Sequence, residues 1–584
     1  MLNLSTVDCR IRASRPVAKR DVVWSRVIFI TLFYSDLAQN NSQIFTSDFK
    51  QWKVTSLTME LDKRTPLKLK VIHFLRLIIA KVARVFFSLY YYNDSKKLPP
   101  ITSDILKEPA VEVARKIRHK EITSMQVLEE CIRRINDVNS QLNCFVENRF
   151  DKALKEAREA DELVRNGTKT PDQLLQEKPF LGVPFTTKDC IGVKGLHQTA
   201  GIVSRQNYIA EEDADVIRLL RSKGAIIIGL TNVPEVCMWW ETHNHIFGRT
   251  SNPYDTTRIV GGSSGGEGAL QAAAGSIFGI GSDIGGSIRM PSFFNGIFGH
   301  KPSRNIVSNS GQYPMPNSDF LNSFLGVGPM TRHAVDLKPI LEIMAADNAN
   351  KLKLNEPVSV GKLKVYYQIN NNAPLTDPVD PDIETAMLKV VEYLNVKHKI
   401  VAEEKKISLL RKSMAIWFSN LKTTKHFGSY LMKDYGYFSI IKEIFKNIIG
   451  CSENTLIALF TALIDWGGVK IDSDKYKSYL KVRDELEKVF TDMLGDDGVF
   501  LFPTHPTPAL YHNEPILRSM NFSYTAIINC LGFPATNIPL GLSREGLPIG
   551  IQVIANHNND RLCLAFAEEL DKAFGGWIEP QNST

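Results

Sequence analysis

Two glycine-rich blocks constrain this 584-residue chain more than any other part of it. They read Gly261-Gly262-Ser263-Ser264-Gly265-Gly266-Glu267 and Gly281-Ser282-Asp283-Ile284-Gly285-Gly286-Ser287-Ile288-Arg289. Glycine lacks the Cβ that blocks tight turns and close backbone approach, so each block can hold a serine against a substrate. Neither contains a histidine to act as general base. The pattern offers a lysine instead, because Leu181-Gly182-Val183-Pro184-Phe185-Thr186-Thr187-Lys188-Asp189 is an apolar run that ends on Lys188. Lys188 precedes Ser263 by 75 residues, and Ser263 precedes Ser287 by 24. A serine hydroxyl becomes a good nucleophile when a base takes its proton, and a lysine can be that base only as the neutral amine, which burial favours.

Around these blocks helical periodicity alternates with short apolar runs. Val216 to Arg221 leads through Gly224 into Ala225-Ile226-Ile227-Ile228-Gly229, which predicts an α/β body with a mixed or parallel sheet covered by helices. Thr123-Ser124-Met125-Gln126 forms a capping box before Val127, and a second helix is predicted from about Asp151 to Asn166, stopped by Gly167. Residues 350 to 500 read as a mostly helical, lysine-rich insertion that shapes a pocket and its rim. The apolar and charged fractions, 43% and 23%, fit a body that folds in water. Net charge is +7, yet the cations are scattered apart from a cluster before residue 100, and no basic motif with interleaved aromatics argues for nucleic acid. The eight cysteines, among them Cys131, Cys190, Cys237 and Cys530, show no CxxC pairing, so they read as thiols in a reducing compartment and give no zinc site.

Residues 1–58 lack a clear period and hold an apolar run, Val27 to Phe33, that is too short to span a bilayer. Met59 reads better as a natural start, which leaves 1–58 as an N-terminal extension. From Val71 to Tyr92 the chain is strongly apolar, and at about 100° per residue His73, Arg76, Lys81 and Arg84 fall on one side of a helix. A wide apolar face rimmed by cations and ending in Tyr90-Tyr91-Tyr92 is the pattern of a helix lying in a membrane interface. The bland alternative is a helix packed on the protein's own core. The organisation read from sequence is therefore 59–93 as a membrane-associated segment, 94–108 as a linker, and 109–575 as a catalytic domain.

The two serine blocks and the Lys188 segment resemble the amidase signature family. Thr231-Asn232-Val233-Pro234-Glu235, Phe298-Gly299-His300-Lys301-Pro302-Ser303 and Gly546-Leu547-Pro548-Ile549-Gly550-Ile551-Gln552 resemble its framework, so the likeness covers roughly residues 109 to 575. It implies a mixed, twisted sheet with helices on both faces, and a Ser-Ser-Lys triad with the first serine on a cis peptide. Carried over residue by residue, Lys188 is the base, Ser263 the proton bridge and Ser287 the acyl-enzyme nucleophile. The backbone N–H groups of Ile284, Gly285, Gly286 and Ser287 become the oxyanion hole, and Cys237 offers a backbone carbonyl to nucleophile or substrate. Cys237-Met238-Trp239 and Arg289-Met290-Pro291-Ser292-Phe293-Phe294 are closest to the branch that hydrolyses fatty-acid amides. The resemblance thus implies a lipid amide substrate, an endomembrane or lipid-droplet surface as partner, and no metal or organic cofactor. It leaves a homodimer open.

Other readings compete with this one. Gly261-Gly262-Ser263-Ser264-Gly265 also fits the G-x-S-x-G nucleophile elbow, with His505, His512 or His557 as base. That scheme leaves Lys188 and the second serine block unexplained. A phosphate-binding loop lacks its GK[ST] ending. An aminoacyl-tRNA amidotransferase subunit shares the triad but has no use for a membrane helix, and an inactive scaffold has no use for the triad.

Overall fold

A computed structural model describes residues 67–315, 318–421, 427–432 and 435–580. The extension 1–58, its apolar run and the Met59 start lie outside the described residues. The strands are β1 (Phe145–Asn148), β2 (Pro184–Lys188), β3 (Ile226–Thr231), β4 (His243–Asn244), β5 (Gly248–Arg249), β6 (Phe278–Asp283) and β7 (Phe298–Lys301). They continue with β8 (Gly326–Thr331), β9 (Lys364–Tyr367), β10 (Glu403–Glu404), β11 (Gly498–Pro503), β12 (Ala535–Leu542) and β13 (Pro548–Ala555). β4 and β5 pair with each other, and the rest form one sheet in the order β1-β3-β2-β6-β8-β7-β12-β13-β11-β9-β10. Pairing is parallel through β3-β2-β6 and through β11-β9-β10, and antiparallel elsewhere, so the sheet is mixed as the sequence predicts.

Side chains of a strand alternate between its two faces, and here each face feeds its own core. Val499 and Leu501 of β11 join one apolar cluster, with Phe566 and Ala567 of the helix Asp560–Phe574. Phe500 and Phe502 join the other, with Phe293 and Phe294 of the helix Arg289–Phe294. With helices on both faces, β2, β3, β6 and β7 are buried along their whole length. The polar residues such strands carry at their ends, Lys188, Ser282 and Asp283, are therefore costly to place and stand out as candidate site residues.

Local signals hold. The box Thr123/Gln126 caps the helix Ser124–Leu142 from both directions, and the helix Phe150–Arg165 ends ahead of Gly167 at φ +65°. The predicted insertion does more than expected, since it adds β9 and β10 to the sheet edge besides its helices. The stretch read as a linker is seated on the body: Leu98 and Ile101 are buried, and Arg134 donates to the carbonyls of Pro99 and Pro100 at 2.7 and 3.1 Å.

The N-terminal helix forms, over Leu67–Tyr90, but its basic side faces inward. Arg76 pairs with Asp377 at 2.9 Å and donates to the Thr376 carbonyl, while Arg84 reaches Glu514 at 3.2 Å and Glu545 at 2.7 Å. Tyr91 stacks on Tyr511 with centroids 5.7 Å apart. The expectation of a helix whose cations rim a membrane interface is corrected for Arg76 and Arg84, whose partners are carboxylates of the body; Lys81 stays exposed. The opposite face leaves Val71, Ile72, Leu75, Ile79, Val82 and Val85 exposed. Among the described residues no helix is long and apolar enough to cross a membrane.

Asp377 is 2% exposed; burial pushes its carboxyl up, and Arg518 with Arg76 more than reverses this, holding it below its ordinary range. A carboxyl depressed on folding stabilises the protein above its unfolded pKa and loses that contribution as pH falls through the folded value. Arg76→Ala is expected to cost about 2 kcal/mol at neutral pH, because Asp377 keeps Arg518 and Asn521 as partners. Thermal unfolding at neutral and acid pH checks this: the gap between variant and parent should narrow as the carboxyl protonates.

Candidate active site

Parallel pairing of β2 with β6 sets their carboxyl ends side by side, a common place for a site in sheets of this kind. Lys188 closes β2 and is fully buried. Its Nζ lies 2.8 Å from Ser263 Oγ and 3.1 Å from Ser282 Oγ, the latter near the end of β6. Ser263 sits in the loop before the helix Gly265–Ala272, and the Gly262–Ser263 peptide is cis. Gly262 is obligatory there, since a Cβ would stand 2.4 Å from the Trp239 carbonyl oxygen. Ser264 N–H donates to the Ser287 carbonyl at 3.2 Å, which ties the two serine blocks together.

The loop from Ile284 to Ser287 is held from below by a buried ion pair. Asp283 and Arg289 are both fully buried and meet at 3.0 Å. Asp283 also accepts from the N–H groups of Gly286 at 2.6 Å and Ile288 at 3.2 Å, and from Asn529 at 2.9 Å. Burial pushes this carboxyl up, but Arg289, with Lys301 and Asn529, more than reverses this and holds it at about 2. Arg289 in turn donates to Gln552 and Asn529 at 2.7 and 2.6 Å. Gly286 has φ +123°, and a Cβ on it would meet Thr525 Oγ1 at 2.1 Å, so no other residue fits. Of the expected oxyanion donors, Gly286 N–H is engaged by Asp283. The N–H groups of Ile284, Gly285 and Ser287 make no hydrogen bond among the described residues.

A cavity of about 410 Å³ opens onto this edge. Ser263, Ser282 and Ile284 form its polar end, and Trp417, Phe418, Leu421, Leu325 and Ile464 contribute apolar wall. Ser287, 8% exposed, lies just beyond Ile284. Trp417 donates its indole N–H to the Ile284 carbonyl at 3.1 Å, coupling that wall to the loop. Cys237 lines the cavity from a turn in which Val236 and Cys237 both have positive φ, 56° and 55°. Its neighbour Glu235 accepts from Thr455 N–H at 2.6 Å, at the start of the helix Leu456–Gly467; burial pushes this carboxyl up to about 7.

The structure thus brings Lys188 and Ser263 into contact and sets Cys237 and Ile284 at one opening, while Ser287 is not among the residues that line it and, among the described residues, has no side-chain hydrogen bond to Ser263. None of His505, His512 and His557 is hydrogen-bonded to Ser263. His505 lies among Trp240, Phe293 and Phe294, and burial lowers it to about 4. His512 pairs with Glu241 and His557 with Glu487, so the nucleophile-elbow reading loses its base. Sequence reasoning passed over Ser282, Asp283 and Arg289, although all three stand inside the second glycine block. It had no signal for Trp417, which reaches the site from a helix 130 residues further on.

The chain belongs to the amidase family, the amidase signature enzymes, whose family model matches residues 126–564. It is an amidase, a hydrolase of carbon–nitrogen bonds. It is 44% identical over 493 residues to fatty-acid amide hydrolase 2-B of Danio rerio, covering 83% of this chain and 93% of that one. To fatty-acid amide hydrolase 2 of Homo sapiens it is 40% identical over 523 residues, 88% of this chain and 98% of the other. A solved fatty acid amide hydrolase structure shares the fold with a TM-score of 0.65 at 22% identity, covering 91% of this chain and 96% of that one.

Because Asp283 is depressed on folding, its contribution is complete at neutral pH and is lost only as pH approaches about 2. Asp283→Asn leaves Arg289 buried without its counter-charge, an expected loss of about 3–5 kcal/mol. Denaturant unfolding at neutral pH measures it, and an unchanged midpoint would remove the pair from the fold's support.

Proposed function

We propose that the protein hydrolyses fatty-acid amides, namely primary fatty amides and N-acylethanolamines, through an acyl-enzyme on Ser287. The observation that carries the chemistry is the 2.8 Å contact between the buried Lys188 amine and Ser263, at the polar end of an apolar cavity. In this reading Lys188 takes the Ser263 proton, Ser263 takes that of Ser287, and Ser287 Oγ adds to the amide carbonyl. The N–H groups of Ile284, Gly285 and Ser287 are the donors left for the oxyanion, and donors fixed before reaction are usually the largest electrostatic term. The relay then runs backwards, delivering the proton to the leaving nitrogen, and water cleaves the acyl-Ser287 ester by the same route. The acyl chain fits the Trp417, Phe418 and Leu421 wall. Similarity to the two fatty-acid amide hydrolases supports that substrate class.

The exposed apolar face of the helix Leu67–Tyr90 supports a second part of the proposal, that the enzyme works at a membrane or lipid-droplet surface. Removing the helix is a poor test, because it takes one cationic partner from each of the buried Asp377 and Glu514 carboxylates and so perturbs the body as well. Ile79→Glu with Val82→Glu alters only exposed positions, 48% and 65% accessible. These changes should reduce flotation with liposomes while leaving hydrolysis of a dispersed short-chain amide intact; equal flotation would place membrane binding elsewhere.

Ser287→Ala should abolish both turnover and fluorophosphonate labelling. Ser263→Ala and Lys188→Ala should slow turnover by about 10²–10⁴-fold. Labelling that survives in Ser287→Ala and vanishes in Ser263→Ala would overturn the assignment of the nucleophile. A panel of fatty amides against glutaminyl amides tests the substrate class.

A further inference from the structure

Most of the cavity wall is hydrocarbon, yet Gln312 brings an amide group to it. Gln312 lines the cavity in company with Ser263 and Ser282 and is itself 5% exposed. Its segment is fastened to the residues that directly follow Lys188. Ile191 and Gln312 form an antiparallel bridge, Tyr313 N–H donates to the Cys190 carbonyl at 2.8 Å, and Gly192 N–H donates to the Gly311 carbonyl at 2.9 Å. Gln198 Nε2 adds a second donor to the Cys190 and Gly311 carbonyls, at 3.0 and 2.8 Å. Gly311 has φ +87°, and a Cβ on it would stand 2.5 Å from Ala214 Cα, so the segment lies tight against the body. Gln312 is thereby fixed at the end of the cavity where Lys188 and Ser263 meet.

Which way its amide faces follows from its neighbours. Asn309 Nδ2 donates to the Asn322 and Leu325 carbonyls at 3.1 and 2.9 Å and to Asn322 Oδ1 at 2.9 Å. Asn309 Oδ1 is therefore an acceptor, and Gln312 Nε2 donates to it at 3.1 Å. Gln312 Oε1 is left as the other end of the amide. Among the described residues no donor reaches it, and packing does not seal it off as it seals the equally unpartnered Oε1 of Gln271. A carbonyl oxygen drawn out of water without a donor is unfavourable, and a bound molecule that supplies one gains by it.

We propose that Gln312 determines specificity for amides, its Oε1 accepting the N–H of the bond to be cleaved. The inference rests on the reading that this cavity takes a fatty amide. Such a molecule carries its hydrogen-bond donors on the nitrogen side alone, since the acyl chain has none, so only that side can satisfy an acceptor in the wall. An ester of the same shape presents an oxygen lone pair in place of the N–H and leaves Gln312 unpaired. A site built to bond an N–H rejects the analogue that lacks it. The contact also serves the chemistry. With the N–H held at Gln312, the lone pair that the nitrogen gains in the tetrahedral intermediate points away from it, free to take the proton relayed back through Ser263.

The test compares decanoyl p-nitroanilide with p-nitrophenyl decanoate, which differ at the scissile bond by N–H against O, on the full chain and on Gln312→Leu and Gln312→Met. Fluorophosphonate labelling at the parent's rate shows that a variant has kept its site; Gln312→Met, which preserves the side-chain length, is the one to read should Gln312→Leu label slowly. Expected is a fall in kcat/KM of about 10-fold on the anilide, with the ester unchanged or faster. Decanamide and N-decanoylethanolamine should fall alike. Equal losses on amide and ester, amide turnover that does not change, or a loss confined to the ethanolamide, which would put the contact at its hydroxyl, would each overturn the proposal. Failure of the fatty-amide reading shows separately, as a parent enzyme that prefers acetyl over decanoyl p-nitroanilide; the amide-to-ester ratio of the variants is then read on the acetyl pair.

Discussion

The candidate catalytic edge depends on one register: β2 and β6 run parallel, with Thr187 opposite Ile280, so that Lys188 and Ser282 emerge together where both strands end. Antiparallel pairing would send the lysine and the second serine block to opposite edges of the sheet. The lysine is buried there with hydroxyls of Ser263 and Ser282 as its partners. Hydroxyls can donate or accept, so they serve an amine through both halves of a proton transfer, as a carboxylate could not. A carboxylate partner would hold the ammonium form and oppose the role proposed for Lys188 as base.

Beneath that edge a second buried element fixes the loop that carries Ser287. The framework motifs acquire physical roles around it. Gln552 of the Gly546–Gln552 segment accepts from Arg289, and Asn232 of the Thr231–Glu235 segment accepts from Gly266 N–H through its carbonyl, anchoring the helix after Ser263. His300 of the Phe298–Ser303 segment pairs with Thr536 and Asp560, locking β7 to β12 and to the last helix. Each segment satisfies buried polar groups that would otherwise oppose folding.

Legibility in the sequence followed how local the constraint is. Glycine blocks, a capping box and an apolar run ending on lysine are constraints within a few residues, so Lys188, Ser263, the strand at 226–231 and the early helices could all be located. What escaped were meetings between segments distant in sequence: Trp417 on the Ile284 carbonyl, 133 residues away, and β9 and β10 entering the sheet from a segment read as an insertion. Neither period nor composition encodes such partners. The N-terminal helix shows the same limit from another side. Its amphipathic pattern was plain, but a pattern does not say which face docks.

That inverted docking bears on the proposed lipid surface. Turning the helix about its axis would bury Val71, Leu75, Ile79 and Val82 against the body, and each buried aliphatic side chain is worth about 1.5–3 kcal/mol. The structure forgoes this gain and instead desolvates Arg76 and Arg84 against Asp377, Glu514 and Glu545. Buried ion pairs roughly break even with apolar packing at best. Leu77, Ala80 and Phe87 pack inward beside these pairs, while the stripe on the opposite face stays in water. In the proposed function a lipid surface would cover that stripe without giving up the ion pairs beneath.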